Sequence, residues 1–306
     1  MLNCRGMFKL PKNQSGQAPH TSGQALLLVL LSMAVALTLV LSVLSRTISD
    51  VQISSQDENS QRAFSAAEAG VEQALVVGSD TGDVDIGDAQ FSATVSDFAK
   101  GESVFVFPNS FVSGEQAVVW FVSHDPITGN LSCSGAGNPC FKGDRIKICW
   151  GDNTAAPVPA IEASIIYLNT AGNYATARIA RAAFDDNASR RSSNNFENPG
   201  GSSCTIGSNT FQYGKTLMFN SFTPSVPYDT TNKLQFMILK LLYNNTSHHM
   251  GVDVAGSGSV LPSQGQLVES SGTSGDANRS INVFQGYGEL PPAFYSVIYG
   301  GGGLIK

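Results

Sequence analysis

Hydrophobic residues follow two different patterns along the chain. A mostly apolar run extends from Ala25 to Leu44 and contains twenty residues without a charge. A helix of that length is about 30 Å long, which matches the hydrocarbon core of a bilayer. The run therefore predicts a transmembrane helix. The cations that precede it, with no acid among them, predict a cytoplasmic N terminus and an exported remainder.

The helix is predicted to continue beyond the membrane. No proline occurs between Pro19 and Pro108, and after Gly23 no glycine occurs until Gly70. Gly78 is a suitable C-terminal stop, so the predicted helix covers residues 24–77. Its second half carries one apolar stripe, at three- and four-residue steps, that is predicted to pack on the rest of the protein: Phe64, Ala67, Val71, Ala74 and Leu75. Small residues off this stripe are predicted to let neighbouring helices approach: Ala63, Ala66, Ala69 and Gly70.

After Gly78 the pattern changes to period-two alternation, which is typical of half-buried strands. Strands are predicted at 91–95, 103–107, 117–122, 145–150, 161–167, 175–181, 215–219, 234–243, 251–255, 265–269 and 280–284. The dense run 234–243 is predicted to be a central strand, the last three a late meander, and 290–299 an edge strand. A polar loop is predicted from about Asp185 to Asn209.

This order of elements predicts an α+β fold, with one long helix followed by a large, mainly antiparallel β head. The predicted parts are a leader (1–23), the helix (24–77) and the head (78–306), with a candidate subdivision near 185–210. Charged residues make up 14% of the chain, and the formal charge of −6 becomes −9 beyond Gly23 because the leader holds three cations. An acidic body without a basic stripe argues against nucleic-acid binding. Nothing in the sequence calls for a cofactor.

The five cysteines divide between the leader and the head. Cys4 lies in the leader. The other four, Cys133, Cys140, Cys149 and Cys204, would lie in an oxidising compartment, where three pairings are open to them. The short, turn-rich segment between Cys133 and Cys140 could close locally, which would leave Cys149 for Cys204. A metal site is the rival interpretation, but no Cys-x-x-Cys or neighbouring histidine supports zinc.

Other titratable groups give only weak signals. Four acidic residues, Asp80, Asp83, Asp85 and Asp88, could collect calcium, although their spacing does not fit an EF-hand. The histidines of the head, His124, His248 and His249, come with no Gly-x-Ser-x-Gly, His-Glu-x-x-His or phosphate-binding loop. We expect them to be loop residues rather than catalytic ones, and we expect Arg190-Arg191 to be a solvated turn.

Two segments resemble a known family. A basic leader ending at Gly23, then Gln24 and a hydrophobic helix with an amphipathic continuation, is similar to the layout of type IV prepilins. The segment Gln61-Arg-Ala-Phe-Ser-Ala-Ala-Glu-Ala resembles the Ala-Phe-x-Ala-Ala-Glu-Ala signature of PilX-like minor pilins and K-type minor pseudopilins of type II secretion. The resemblance covers residues 23–77, about a quarter of the chain.

The resemblance implies cleavage between Gly23 and Gln24 by prepilin peptidase, methylation of the new N terminus, and contacts with other pilin subunits through the helix. Major pilins carry a glutamate at the fifth mature position, where this chain has Leu28. In the family that acid pairs with a neighbouring subunit's N-terminal amine, and K-type pseudopilins, which lack it, are tip proteins. Leu28 therefore favours a tip or minor role, and it leaves the cleavage-site assignment open.

Three functions are weighed on these observations. The first is a non-enzymatic minor pilin or pseudopilin that initiates or caps a pilus-like filament. The second is an uncleaved, membrane-anchored adhesin whose head recognises a surface ligand. The third is a tethered hydrolase, for which no residue set stands out. Cleavage of the leader separates the first from the second.

Overall fold

The computed structural model describes residues 22–125, 128–133, 137–152, 158–200 and 203–289. It divides into two compact units, Met1–Asn59 and Ser60–Lys306, so the boundary falls within the long helix. That helix, α1, covers Ser22–Val77 and confirms the predicted single helix. Gly78 follows it in the left-handed conformation, with φ 71°, and its N–H donates to the carbonyl of Ala74. A glycine tolerates this conformation without steric cost, which is why α1 ends here.

The rest of the described chain is almost entirely strand. The first eight strands are β1 (Val84–Ile86), β2 (Ala89–Asp97), β3 (Val104–Val106), β4 (Gln116–Trp120), β5 (Ser123–His124), β6 (Leu131–Ser132), β7 (Arg145–Asp152) and β8 (Ala160–Leu168). They are followed by β9 (Ala177–Phe184), the short helix α2 (Ala188–Asn194), β10 (Cys204–Ile206), β11 (Asn209–Met218), β12 (Leu234–Leu242), β13 (Met250–Asp253), β14 (Gly265–Ser274) and β15 (Ala277–Gly286). The protein is therefore α+β, as predicted.

Two sheets form a sandwich that holds the main core. One has the strand order β10-β11-β7-β13-β3 and the other β4-β12-β8-β9. The largest cluster of buried side chains draws on both, for example Ile148 and Trp150 from β7 with Ile165 from β8 and Met237 from β12. Side chains that alternate along each strand thus meet between the sheets. As predicted, β12 is a central strand, between β4 and β8.

A third sheet, with the order β1-β2-β14-β15, supports the second half of α1. Its buried face contributes Ala93 from β2 and Val268 from β14 to a cluster that contains Val71 and Ala74 of the helix. We call it the helix-backed sheet. Every pairing between strands of these three sheets is antiparallel.

The structure corrects two predictions about the head. The last three predicted strands are not one meander, because β13 pairs with β7 and β3 in the sandwich whereas β14 and β15 form a hairpin of the helix-backed sheet. The predicted loop 185–209 contains α2 and β10. Asn187 caps α2 with a side-chain oxygen that accepts from the N–H groups of Ser189 and Arg190, which is a local signal for a helix start. The predicted edge strand 290–299 lies outside the described residues.

Candidate functional site

The first part of α1 presents apolar side chains on all its sides. From Leu26 to Leu44 its leucine, valine and methionine side chains are 52–67% exposed. The hydroxyl groups of Ser32 and Thr38 donate to carbonyls of the preceding turn, so neither is left without a partner in an apolar environment. Over its most apolar window the helix has a mean hydropathy of 2.8, and it is the one helix among the described residues that is long and apolar enough to cross a membrane.

The predicted cleavage bond lies at the start of this helix. Gly23 and Gln24 both fall within α1, which begins at Ser22. The leader before Ser22 lies outside the described residues, so cleavage stays a prediction. Leu28 is 65% exposed on the helix surface, like its apolar neighbours.

The second part of α1 docks on the helix-backed sheet through small residues. Six residues of α1 are buried against this sheet, and we call them the docking face: Ala63, Ala66, Ala67, Gly70, Val71 and Ala74. The approach is close: a Cβ added to Gly272 of β14 would lie 2.0 Å from the carbonyl oxygen of Ala63 and 2.5 Å from the nitrogen of Ala67. A Cβ on Gly70 would clash with Ser270 and Phe91. Only a glycine at each of these positions permits the observed packing.

The predicted packing stripe is therefore right in part. Ala67, Val71 and Ala74 are buried, and Leu75 is partly buried against the same cluster. Phe64 is 47% exposed, so its assignment to the stripe is wrong. The physical reason is that the backbones approach too closely at Gly272 for a large side chain, so the docking face is rotated toward the alanines. Ala63, Ala66 and Gly70, which were predicted to face neighbouring helices, face the protein's own sheet instead.

Polar contacts hold the start of this docked segment. The guanidinium of Arg279 in β15 donates to Ser60 Oγ, over 2.9 Å from Nε. Arg62 forms an ion pair of 3.1 Å with Asp88, with both side chains largely exposed. Exposed pairs of this kind contribute little, about 0–1 kcal/mol. Most of the docking free energy therefore comes from the buried apolar face.

Two disulfides join the four head cysteines. Cys133 is bonded to Cys140 and Cys149 to Cys204, with Cα–Cα distances of 5.4 and 5.7 Å. The second joins the sandwich strands β7 and β10 and lies in a buried cluster with Ile206 and Phe211. Such bonds persist in oxidising compartments, so the head fits an oxidised environment.

The acidic residues proposed for calcium do not form a site. Asp80 accepts a hydrogen bond from the backbone of Val95, Asp85 from the side chain of Gln90, and Asp88 pairs with Arg62. Among the described residues no group of three or more acidic, histidine or cysteine side chains is placed to hold a metal ion. The calcium candidate, including Asp83, is therefore not supported, and the carboxylates of Asp80, Asp85 and Asp88 each have a different partner.

His248 lies in the connection between β12 and β13, as expected for a loop residue, but it is buried. It is fully buried, and its Nδ1 accepts from the backbone N–H of Asp152 over 3.1 Å. Burial disfavours the charged ring and lowers its pKa, against the opposing effect of Asp152. The neighbouring His249 lies at the surface, 3.2 Å from the Asp152 carboxylate.

The Arg190-Arg191 pair is also structural and not a solvated turn. Asp185 is fully buried and accepts two hydrogen bonds from Arg190, of 2.9 Å from Nε and 2.6 Å from a terminal nitrogen. Burial alone would raise the pKa of Asp185, but the hydrogen bonds from Arg190, the Asn187 backbone and Asn194 outweigh it, and the pKa lies below its usual value. Arg191 donates to the carbonyls of Asp185 and Asp186.

A polar cavity of about 290 Å³ lies beside the stacked rings of His124 and Tyr287. The ring centroids are 3.7 Å apart with an interplanar angle of 15°, and Trp120 meets His124 edge-on at 4.4 Å. Burial lowers the pKa of His124 to about 4, so the ring is neutral at physiological pH. A second cavity of similar volume adjoins it, and Gly286 and Tyr287 line both. The sequence analysis did not find this cavity, because its lining residues come from five separate stretches of the chain.

Comparisons with known proteins identify no relative. No family model matches the chain, and no curated protein or solved structure matches it either.

Proposed function

We propose that this protein is a membrane-anchored, non-enzymatic minor pilin or pseudopilin of a type IV pilus-like filament. In this proposal the apolar part of α1 crosses the membrane, with the N terminus in the cytoplasm and the oxidised β head outside. Prepilin peptidase removes the leader after Gly23. The helix then leaves the bilayer and packs with the helices of other pilin subunits.

The observation that carries the proposal is the change of character along one continuous helix. Its first part exposes apolar side chains on all sides, and its second part docks on a β sheet through the alanine and glycine face. An anchor that served only to hold the head at the membrane would have no need to continue into the head. In this proposal one helix serves as the membrane span and the filament core, and its docked second part connects it to the head.

Leu28 supports a role as a subunit at the filament tip or as a subunit of low abundance. A carboxylate buried in an apolar helix bundle is costly unless it is paired, so a subunit with no neighbour above it has no use for one. The exposed Phe64 and the apolar side chains of residues 26–44 remain available to the helices of neighbouring subunits. The membrane, other pilins and prepilin peptidase are therefore the proposed partners.

A second function, an uncleaved surface adhesin, is favoured by a different observation. The cavity beside His124 and Tyr287 offers a concave polar surface of a size found in small-ligand sites. The two functions are compatible, since a tip subunit can also bind a surface.

Recovery of the protein in sheared surface filaments tests the filament proposal. Filaments are sheared from native cells, purified, and analysed by quantitative mass spectrometry with and without the host's prepilin peptidase gene. We expect the chain at a small fraction of the major subunit in peptidase-positive cells, and none in the sheared fraction otherwise. A chain found only in the membranes of peptidase-positive cells, while the sheared fraction of the same cells contains intact filaments, would refute the proposal and leave the adhesin.

A further inference from the structure

The floor of the cavity beside His124 is a row of polar side chains on three adjacent strands. Asp97 of β2 lies opposite Gln266 of β14, and Gln266 lies opposite Gln285 of β15. Residues that are directly opposite in a sheet point to the same face, and neighbouring strands are about 4.8 Å apart. All three side chains line the cavity. The row therefore presents one carboxylate and two carboxamides at regular spacing on a rigid element.

Much of the hydrogen-bonding capacity of this cavity is unused. Within the described part of the chain, no hydrogen bond reaches the carboxamide of Gln266 or of Gln285, and each can donate and accept. His124 Nδ1 is buried and has no hydrogen-bond partner among the described residues. The groups are also held in place, since His124 is stacked on Tyr287 and packed against Trp120.

The charge of the cavity selects among ligand classes. Among the described residues that line the cavity the one cation is Lys100, which is paired with Asp97 over 2.7 Å. The Asp125 carboxylate accepts from the backbone N–H and hydroxyl of Thr128. The described lining therefore offers no unpaired cation to hold a phosphate or sulfate. The cavity combines flat polar groups with aromatic rings, which suits a neutral molecule with many hydroxyl groups and apolar C–H surfaces.

We propose that the head binds a neutral saccharide in this cavity, with the Asp97–Gln266–Gln285 row bonding to sugar hydroxyls beside the His124–Tyr287 stack. The second cavity, which Tyr287 also lines, provides room for a second ring of an oligosaccharide. The proposal concerns the head alone, so it holds whether or not the chain is cleaved or enters a filament.

Titration of the full chain with defined sugars tests this. The protein is placed in lipid nanodiscs, because detergents with sugar headgroups would compete. The probes are glucose, galactose, N-acetylglucosamine, their β1,4-linked disaccharides, and inorganic phosphate, each followed by isothermal calorimetry and ligand-observed NMR. We expect saturable binding of at least one sugar, tighter for the disaccharide, and none of phosphate.

Two exposed or half-exposed positions provide variants that should fold. Gln285→Ala and Gln266→Ala each remove hydrogen bonds to the sugar and should weaken binding about fivefold or more. Asn282→Ala, an exposed residue of β15 outside the cavity, is the matched control and should bind as the native chain does. The proposal is overturned if no sugar in the panel binds, if phosphate displaces the bound sugar, or if Gln285→Ala and Asn282→Ala bind equally well.

Discussion

The close approach of α1 to the helix-backed sheet predicts a large effect of a single methyl group. In Gly272→Ala the new Cβ would lie 2.0 Å from the carbonyl oxygen of Ala63, a backbone atom that cannot rotate away. The helix must shift by on the order of an ångström to restore ordinary contact. Overpacking of this kind costs about 1–3 kcal/mol, and partial exposure of Val71 adds to it, so we expect a loss of about 3 kcal/mol. For a unit of this size that corresponds to a fall in Tm of about 6–12 °C.

The assay is thermal unfolding of the full chain in lipid nanodiscs, together with hydrogen exchange of the helix amides. Gly286→Ala in β15 is the matched control, because a Cβ there meets nothing closer than 3.7 Å. It should change stability by no more than about 0.5 kcal/mol. In Gly272→Ala, amides 63–74 should exchange faster, since a helix segment that loses its packing partner is marginal in water. Equal Tm values for the two variants, with unchanged exchange, would refute the docking geometry.

Three further predictions concern the helix, the buried ion pair and the cavity. Phe64 is exposed, so Phe64→Ala should change the free energy of unfolding of the head, measured by chemical denaturation, by no more than about 0.5 kcal/mol. Ala67→Leu, on the docking face, should lower it by about 1–3 kcal/mol. Asp185→Asn should lower the free energy of unfolding by about 3 kcal/mol or more, since it leaves the Arg190 guanidinium without its buried partner; urea denaturation measures this. His124 has a pKa of about 4 in the folded protein and 6.5 in the unfolded chain, so protonation favours the unfolded chain. The free energy of unfolding should therefore be highest above pH 6.5 and should fall as the pH drops toward 4. After allowing for partial solvent screening, the loss should reach up to about 2 kcal/mol.

Each of these has its own contradicting outcome. A loss in Phe64→Ala as large as in Ala67→Leu would mean that the helix docks by the stripe first predicted from hydrophobicity. An Asp185→Asn chain as stable as the native one would show that the ion pair is solvated. For His124, the matched measurement is His124→Phe, which should lose part of the pH dependence of stability between pH 4 and 6.5. An unchanged slope would show that this dependence does not come from His124.

The elements that repeat a simple period could be predicted from the sequence. The helix and the central strand β12 follow from hydrophobic pattern and from the placement of Gly78, because these signals are local. The pairing of Cys149 with Cys204 could be suggested only by elimination. It depends on β7 and β10 lying on either side of β11, which no spacing along the chain reveals.

What could not be predicted depends on register between distant strands. Hydrophobicity along the helix predicted Phe64, and not Ala63, as a packing residue. The residue that decides between them is Gly272, which lies opposite Ala63 on β14, far away in the sequence. A glycine inside a strand can mark close approach of a second backbone, but Gly272 lies beyond the predicted strand 265–269 and only the observed β14 includes it. The Asp97–Gln266–Gln285 row likewise exists only once β2, β14 and β15 are aligned.

The most direct test of the central claim is the mass of the N-terminal peptide of the native protein, with and without the host's prepilin peptidase. The account predicts a peptide that begins at Gln24 when the peptidase is present and an intact leader through Gly23 when it is absent. An intact leader in both strains would contradict assignment to the pilin pathway, and the protein would then be an anchored surface protein whose function lies in its head.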